Sequence, residues 1–194
     1  MYDTPSHSTF LIPDVLVPGL AVVFCGSALG DYSWRRLAYY ANPGNRFWQT
    51  LAEVGFTPRC LAPEEYPSVR CYGIGLTDLV KTEHGQDQRI FDGHVDLDLT
   101  RSALRTKIED CKPRVLAFTS KTVGARFLGR PVHIGRQREC IGTTVLWVLP
   151  STSGLARRFF DIEPWRQLAV LVQRVGGDDR TPGTDETVTG NRAL

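Results

Sequence analysis

The sequence has few cysteines, and their spacing excludes most structures that depend on them. The five cysteines of the 194-residue chain are scattered, and no two form a Cys-x-x-Cys pair. Neither a disulfide framework nor a zinc site is therefore indicated. An iron–sulfur cluster needs four well-placed thiolates, which this spacing disfavours.

Long hydrophobic runs are absent as well. No apolar stretch approaches the length of about 20 residues that crosses a bilayer, and no early apolar run has the flanks of a signal peptide. We therefore expect an intracellular, cytoplasmic protein without a membrane partner. With 42% hydrophobic residues and no internal repeat, the chain is predicted to form one domain over residues 13–175. Polar residues 1–12 are interpreted as a loose lead-in, and residues 176–194, which lack apolar periodicity, as a disordered tail.

The net charge of +2 hides an uneven distribution along the chain. Residues 112–175 contain 11 Lys and Arg against 3 Asp and Glu, which leaves a net charge of +8 in this segment. Such a segment predicts a basic face. This face is either a solvated, arginine-rich surface or a surface that binds a polyanion.

Short strands and helices alternate along the chain. Apolar runs at 20–25, 114–118 and 143–149 predict buried strands, and residues 71–76 predict a strand or an apolar loop. Helical spacing is present at 45–55, 96–110, 121–128 and 164–175, and the second of these helices is expected to bury Leu99, Ala103, Leu104 and Ile108. Polar residues 81–93 predict a surface excursion. This alternation predicts an α/β fold, a three-layer α/β/α sandwich with a central, mostly parallel sheet.

Two turns at predicted strand ends carry the residues of greatest chemical interest. They lie at 26–31 (Gly-Ser-Ala-Leu-Gly-Asp) and at 149–155 (Leu-Pro-Ser-Thr-Ser-Gly-Leu), and a parallel sheet would open both on the edge where ligands bind. Gly26 and Gly30 would let the backbone turn sharply and approach a ligand closely. One interpretation is a phosphate-binding nucleotide site, although Gly-x-x-x-Gly matches neither the dinucleotide fingerprint nor the Walker motif.

Four segments together carry a family resemblance: Ala21–Gly26, Pro43–Trp48, Gly55–Phe56 and Val148–Leu155. In this order and spacing they resemble the uracil-DNA glycosylase superfamily. Within it, the chain is most similar to the mismatch-specific uracil-DNA glycosylase and hypoxanthine-DNA glycosylase branches. The likeness runs through residues 14–175.

The resemblance implies a monofunctional DNA glycosylase that initiates base excision repair and needs no metal or cofactor. A damaged nucleotide would be flipped out of the helix into a pocket, and its N-glycosidic bond hydrolysed through an oxocarbenium-like transition state. Preorganised polar groups would stabilise the departing base anion and place the attacking water. The implied partner is uracil-containing DNA, single- or double-stranded, and we expect a monomer.

The resemblance also assigns residues to a base pocket and to a DNA-binding segment. Tyr40 would stack on the flipped base, with ordinary core packing as the alternative. Leu155 would fill the space that the base vacates, unless it begins a helix and points inward. Phe47 and Trp48 are interpreted as core residues. The implied base pocket comprises Gly26, Ser27, Ala28, Leu29, Tyr40 and Ser151. The implied DNA-binding segment comprises Ser151, Thr152, Ser153, Gly154, Leu155, Arg157 and Arg158, the two arginines being either phosphate contacts or simply solvated.

The chain departs from the mismatch-specific branch at the position that orients the attacking water. That branch has an asparagine where this chain has Ala28, which cannot activate water. The hypoxanthine branch lacks a polar residue there too, and its compensating asparagine corresponds best to Asn45, which could instead cap the following helix. Asp31 is the competing catalytic candidate, and it could instead cap a turn or pair with Arg35.

Uracil is the preferred substrate, because it is the most widespread substrate of the superfamily and the easier leaving group, and hypoxanthine is the alternative. The sequence leaves two rival functions open. One is a noncatalytic reader of damaged or single-stranded DNA, which Ala28 would permit, and the other is a nucleotide-binding enzyme. The histidines at 84, 94 and 133 lie in polar loops and are interpreted as surface residues.

Overall fold

The computed structural model describes residues 12–93 and 95–176. Residues 1–11 of the predicted lead-in, the predicted tail from residue 177 onward and His94 lie outside the described residues. The structural statements that follow therefore concern the two described ranges.

Five strands form one sheet in the order β2-β1-β3-β5-β4. The three pairings that join β2, β1, β3 and β5 are parallel, and β4 lies antiparallel to β5 at the edge of the sheet. The strands are β1 (Val22–Gly26), β2 (Ile74–Asp78), β3 (Val115–Phe118), β4 (Gly135–Ile141) and β5 (Thr144–Val148).

Helices connect these strands on both sides of the sheet. No helix within the two described ranges is long and apolar enough to span a membrane. The α-helices are α1 (Asp31–Arg36), α2 (Phe47–Glu53), α3 (Asp87–Phe91), α4 (Leu97–Cys111), α5 (Lys121–Leu128) and α6 (Glu163–Gly176), and 3₁₀ helices span Pro63–Tyr72 and Gly154–Phe159.

Each face of the sheet is covered by its own set of helices. On one face, the ring of Phe24 in β1 stacks on Trp165 of α6 at 5.5 Å and meets Phe47 of α2 edge-on at the same distance. On the other face, apolar residues of α3, α4 and α5 form a second buried cluster with the sheet, including Ile108 and Phe127. The structure therefore confirms the predicted α/β/α sandwich with a mostly parallel sheet.

The predicted buried stripe of α4 is wrong at two of its four positions. Leu104 and Ile108 are buried, whereas the Leu99 side chain is 68% exposed and Ala103 is exposed. These two residues line an open cavity of about 680 Å³, which Ile90 of α3 and Lys81 also line, and they do not reach the sheet. Helical periodicity predicts which side of a helix is apolar. It does not predict how much of that side the sheet and the neighbouring helices cover.

Two elements were missed by the pattern of apolar residues. Strand β4 contains the polar run Arg-Gln-Arg-Glu and buries only Gln137 and Ile141, because an edge strand needs little apolar surface and exposed charge protects its free side. Helix α3 lies in the segment that was predicted to be a surface excursion, and its Ile90 and Phe91 are buried. Phe47 and Trp48 are core residues as expected.

Candidate active site

The two singled-out turns meet at one edge of the sheet, together with the end of β2. Gly26 is the last residue of β1 and pairs in register with Asp78, the last residue of β2. The second turn follows β5, which is parallel to these strands through β3. The topology thus brings the carboxyl ends of four parallel strands to one edge, which is the ligand-binding edge of open α/β sheets.

The absence of a side chain at Gly26 leaves room for neighbouring side chains, and no turn requires a glycine there. A Cβ atom built at this position would collide with Asp78 Oδ1 and would lie 3.2 Å from the hydroxyl oxygen of Tyr40. Gly30, by contrast, has a φ of −70° and open space where its Cβ would be. The expectation that both glycines permit a sharp turn is therefore wrong, since Gly26 instead admits the side chains of Asp78 and Tyr40.

Asp78 is a buried carboxyl group beside Gly26. Its side chain is 5% exposed, and no group within residues 12–93 and 95–176 donates a hydrogen bond to its carboxylate or forms an ion pair with it. Burial raises the pKa of Asp78 to about 6, against an attraction to Lys81 that lowers it. Lys81 is itself bound to another acid, its Nζ lying 2.9 Å from Asp14 Oδ1. Asp78 therefore changes its protonation state near pH 6, well above the usual range for an aspartate.

The first turn itself is mostly apolar. Ser27 is buried, and its hydroxyl hydrogen-bonds the carboxylate of Asp87, whose pKa burial raises. Its carbonyl accepts a hydrogen bond from the Val80 amide at 2.9 Å. Ala28 is partly buried against the second apolar cluster, and Leu29 is 4% exposed. Residues 26–29 of the turn therefore supply shape, and the carboxyl group that lies against Gly26 comes from β2.

Tyr40 projects toward the same place from the aromatic segment that follows α1. Its ring stacks on Phe47 at 3.8 Å, and its hydroxyl donates to Thr119 Oγ1 at 3.4 Å. Burial and the neighbouring Asp78 carboxylate raise the pKa of Tyr40. Its backbone has a φ of +52°, which is unusual for a bulky side chain and costs about 1–3 kcal/mol. Such strain is typical of functional sites.

Asn45 lies between Tyr40 and the second turn, in the loop before α2. Its Oδ1 accepts a hydrogen bond from the Phe47 amide at 3.0 Å, so this side chain binds the first amide of α2, although the N-cap residue of that helix is Arg46. The next residue, Arg46, donates its amide to the carbonyl of Thr152 at 3.0 Å. A Cβ on Gly154 would lie 3.2 Å from the carbonyl oxygen of Gly44. The Asn45 loop is thus joined to the second turn by backbone contacts.

Asp31 has a different neighbour from the one expected. Its Oδ1 lies 2.7 Å from Nδ1 of His84, and no ion pair with Arg35 is present in the described structure. The imidazole of His84 stacks on Trp34 at 4.2 Å with an interplanar angle of 6°. His84 also forms a parallel bridge with Leu29 of the first turn. His84 is thus a partly exposed residue, consistent with the surface interpretation, and it is held in place by Asp31 and Trp34.

The second turn is organised by its own hydroxyl groups. Ser151 Oγ accepts a hydrogen bond from the Ser153 amide at 3.2 Å, and Ser153 Oγ accepts one from the Leu155 amide at 3.4 Å. Thr152 is buried, whereas Ser151 and Ser153 are partly exposed and Gly154 is exposed. The turn presents small polar groups at the edge of the sheet.

Leu155 and the two arginines project from the protein surface. The Leu155 side chain is 87% exposed, so the alternative that it points inward is wrong. Arg157 and Arg158 are exposed, and neither forms an ion pair with a residue in the described ranges. Lys121 at the start of α5 and Arg136 at the start of β4 are also exposed near this edge. Part of the basic segment 112–175 is therefore gathered here.

Comparison with known proteins identifies the family. A family model described as the uracil DNA glycosylase superfamily matches residues 13–172. The chain belongs to this superfamily. A solution NMR structure of a Methanosarcina acetivorans protein, described as a "putative Uracil DNA glycosylase", superposes with a TM-score of 0.54 at 24% identity. The match covers 85% of this chain and 96% of the other, and supports the same fold.

Asp78 was missed in the sequence, although its carboxyl group lies against Gly26 of the first motif. The predicted strand or loop at 71–76 stopped short of it, whereas β2 continues to Asp78. A carboxylate at the end of a buried strand is a recognisable signal. Its pairing with Gly26 could not be predicted, because strand order and register follow from the tertiary structure.

Proposed function

We propose that this protein is a DNA glycosylase that releases uracil from DNA by flipping the nucleotide and hydrolysing its N-glycosidic bond, with hypoxanthine as the second candidate substrate. The observation that carries the proposal is the buried Asp78 carboxyl group, which lies against Gly26 and the Tyr40 hydroxyl at the edge where superfamily motifs converge. This role would initiate base excision repair. The protein is proposed to act as a monomer and without a cofactor.

Asp78 suits the recognition of a lactam edge. Uracil and hypoxanthine both present a carbonyl oxygen next to a ring N–H. A protonated carboxyl group donates one hydrogen bond and accepts another, so it pairs with both atoms of that edge. Because the pKa of Asp78 is about 6, this form is well populated at and below about pH 6. The same O–H would stabilise the negative charge that develops on the departing base.

Asn45 is our first candidate for placing the attacking water, and Asp31 is the second. Asn45 Oδ1 uses one lone pair on the Phe47 amide, and a carbonyl oxygen has a second lone pair for a water molecule. Asn45 also lies in the loop joined to the second turn. Asp31 is held by His84, and this pair could polarise water from the far end of the first turn.

The remaining residues supply shape and DNA contact. Gly26, Ser27, Ala28, Leu29 and Tyr40 are proposed to form the pocket floor and one wall, and Ser151 borders the base. Leu155 is proposed to enter the vacated space, which offsets part of the unstacking cost of a few kcal/mol. Thr152, Ser153, Gly154, Arg157 and Arg158 are proposed to contact the DNA backbone.

The proposal is tested by incubating the protein with oligonucleotides that carry uracil, hypoxanthine or thymine, as single strands and opposite each base. Alkaline cleavage then reveals abasic sites. Release of uracil or hypoxanthine supports the proposal, and the ratio of the two rates assigns the substrate. Binding to uracil-containing DNA without any base release would instead support a noncatalytic reader, and would overturn the enzymatic proposal.

A further inference from the structure

The 3₁₀ helix Gly154–Phe159 carries a second exposed apolar side chain besides Leu155. The Phe159 side chain is 83% exposed, and no residue of this helix is buried. The adjacent Phe160 behaves differently, since it packs against the core and its ring lies under the Arg46 guanidinium at 4.7 Å. Of these two consecutive phenylalanines, Phe160 packs against the core and Phe159 is exposed to solvent. Phe159 therefore contributes apolar surface that folding does not bury.

The surroundings of Phe159 indicate what would cover it. Arg157 and Arg158 lie between Leu155 and Phe159, are exposed, and form no ion pair with the described residues. A partner must therefore combine negative charge with apolar surface accessible between the charges. A nucleic-acid duplex with a displaced nucleotide offers this combination, because phosphates flank bases that have lost their stacking or pairing partners.

We propose that Phe159 stacks on the base of the complementary strand that loses its partner when the nucleotide is flipped, so that Leu155 and Phe159 together hold both halves of the opened base pair. The inference rests on the proposed glycosylase function. In a 3₁₀ helix the rise is about 2.0 Å per residue, so the two side chains leave the helix about 8 Å apart along its axis. One step of a duplex is about 3.4 Å. With 3.0 residues per turn, they also leave the helix about 120° apart around its axis. The two side chains therefore cannot both enter the gap that the flipped nucleotide leaves in its own strand, and Phe159 is available to the base of the opposite strand.

This arrangement makes Phe159 a positioning residue that acts on duplex substrates alone. A base has an aromatic face whatever its identity, so stacking tolerates any opposite base. A single strand has no unpaired partner base for the ring to cover. Removing the ring should therefore weaken binding to a duplex and leave binding to a single strand unchanged.

The test uses the full-length protein and a DNA duplex that carries a stable abasic analogue opposite 2-aminopurine. Binding is followed by anisotropy, and stacking on the probe base by its fluorescence. Phe159→Ala should weaken duplex binding about tenfold, which corresponds to about 1.4 kcal/mol, and should abolish the quenching of 2-aminopurine. Phe159→Trp keeps an aromatic ring and should retain both duplex binding and quenching. Val170→Ala, at an exposed position of α6, is the control and should change neither.

Three outcomes separate this inference from the proposed function. Duplex binding by Phe159→Ala within twofold of wild type, with unchanged quenching and normal uracil release, overturns the role of Phe159 and leaves the glycosylase proposal standing. An equal loss on single and double strands also overturns it, since the ring would then serve general DNA contact. Absence of both DNA binding and base release in the wild-type protein overturns both proposals.

Discussion

The Asp78 carboxylate occupies the space that any side chain at Gly26 would need. The two residues are paired across β1 and β2, and the Tyr40 hydroxyl borders the same space. The absence of a side chain on one strand is what allows a carboxyl group from the neighbouring strand to reach the edge of the sheet. This relationship connects the first motif to an acid that lies 52 positions further along the chain.

Gly26→Ala should destabilise the protein, because the new methyl group must displace Asp78 or Tyr40. Overpacking of this kind costs about 1–3 kcal/mol. Gly30→Ala is the matched control, since its Cβ meets open space, and it should cost less than about 1 kcal/mol as a modest change at the start of α1. Urea denaturation measures both. Equal losses at the two positions would contradict the role of Gly26 described above.

Uracil release by the wild-type protein should decline as the pH rises above about 6, because the pKa of Asp78 is about 6 and only its protonated form donates a hydrogen bond to the base. An amide in place of the carboxyl group offers a donor and an acceptor at every pH. Asp78→Asn should therefore flatten the pH profile and exceed wild type at pH 8. The measurement is single-turnover base release from pH 5 to 9. Parallel profiles for the two proteins would rule Asp78 out as the titrating group.

The same substitution should change the pH dependence of stability. The folded-state pKa of Asp78 is raised above its ordinary value of 3.8, so its folded state binds the proton more tightly than the unfolded chain does. The stability that protonated Asp78 contributes is fully present below pH 3.8, and it is lost as the pH rises through about 6. A shift of about two pH units corresponds to about 3 kcal/mol. Relative to wild type, Asp78→Asn should gain stability between pH 4 and 7 in urea titrations, and an unchanging difference would contradict this.

Asn45→Ala and Asp31→Ala should separate the two candidates for water placement. A residue that orients or activates the water should lower the single-turnover rate of uracil release by about 10²–10⁴-fold. Asn45→Ala should also lose about 1 kcal/mol of stability, because it removes the hydrogen bond to the first amide of α2. Asn45→Asp keeps the oxygen that accepts this bond, and so separates stability from catalysis. If each substitution lowers the rate of uracil release by less than about tenfold, neither Asn45 nor Asp31 places the water.

Much of the fold could be predicted because buried strands carry their own signal. The apolar run Val22–Cys25 and the helix at 164–175 are both close to the observed elements. Strand β4 could not be found this way, because an edge strand does not require apolar residues. Leu99 belongs to the apolar side of α4, but only the packing of the neighbouring layer decides that it stays uncovered.

Sequence motifs pointed to some residues of this edge, and the contacts that the tertiary structure assembles were missed. Tyr40, Asn45 and the turn at 151–155 lie near one edge of the sheet, and their roles in binding a base or DNA stay predictions. The approach of Asp78 to Gly26 depends on strand order, and the contact of Asp31 with His84 depends on a loop that follows another strand. Neither contact has a signal in local sequence spacing.

The hydrogen bond from the Arg46 amide to the Thr152 carbonyl joins the two halves of the site through backbone atoms alone. An amide held in this way exchanges its hydrogen with solvent only when the loops separate. Deuterium uptake at Arg46 therefore measures how often the Asn45 loop and the second turn part. Comparing the deuterium uptake at Arg46 with and without DNA would therefore show whether the two loops are already joined in the free protein or become joined when DNA binds.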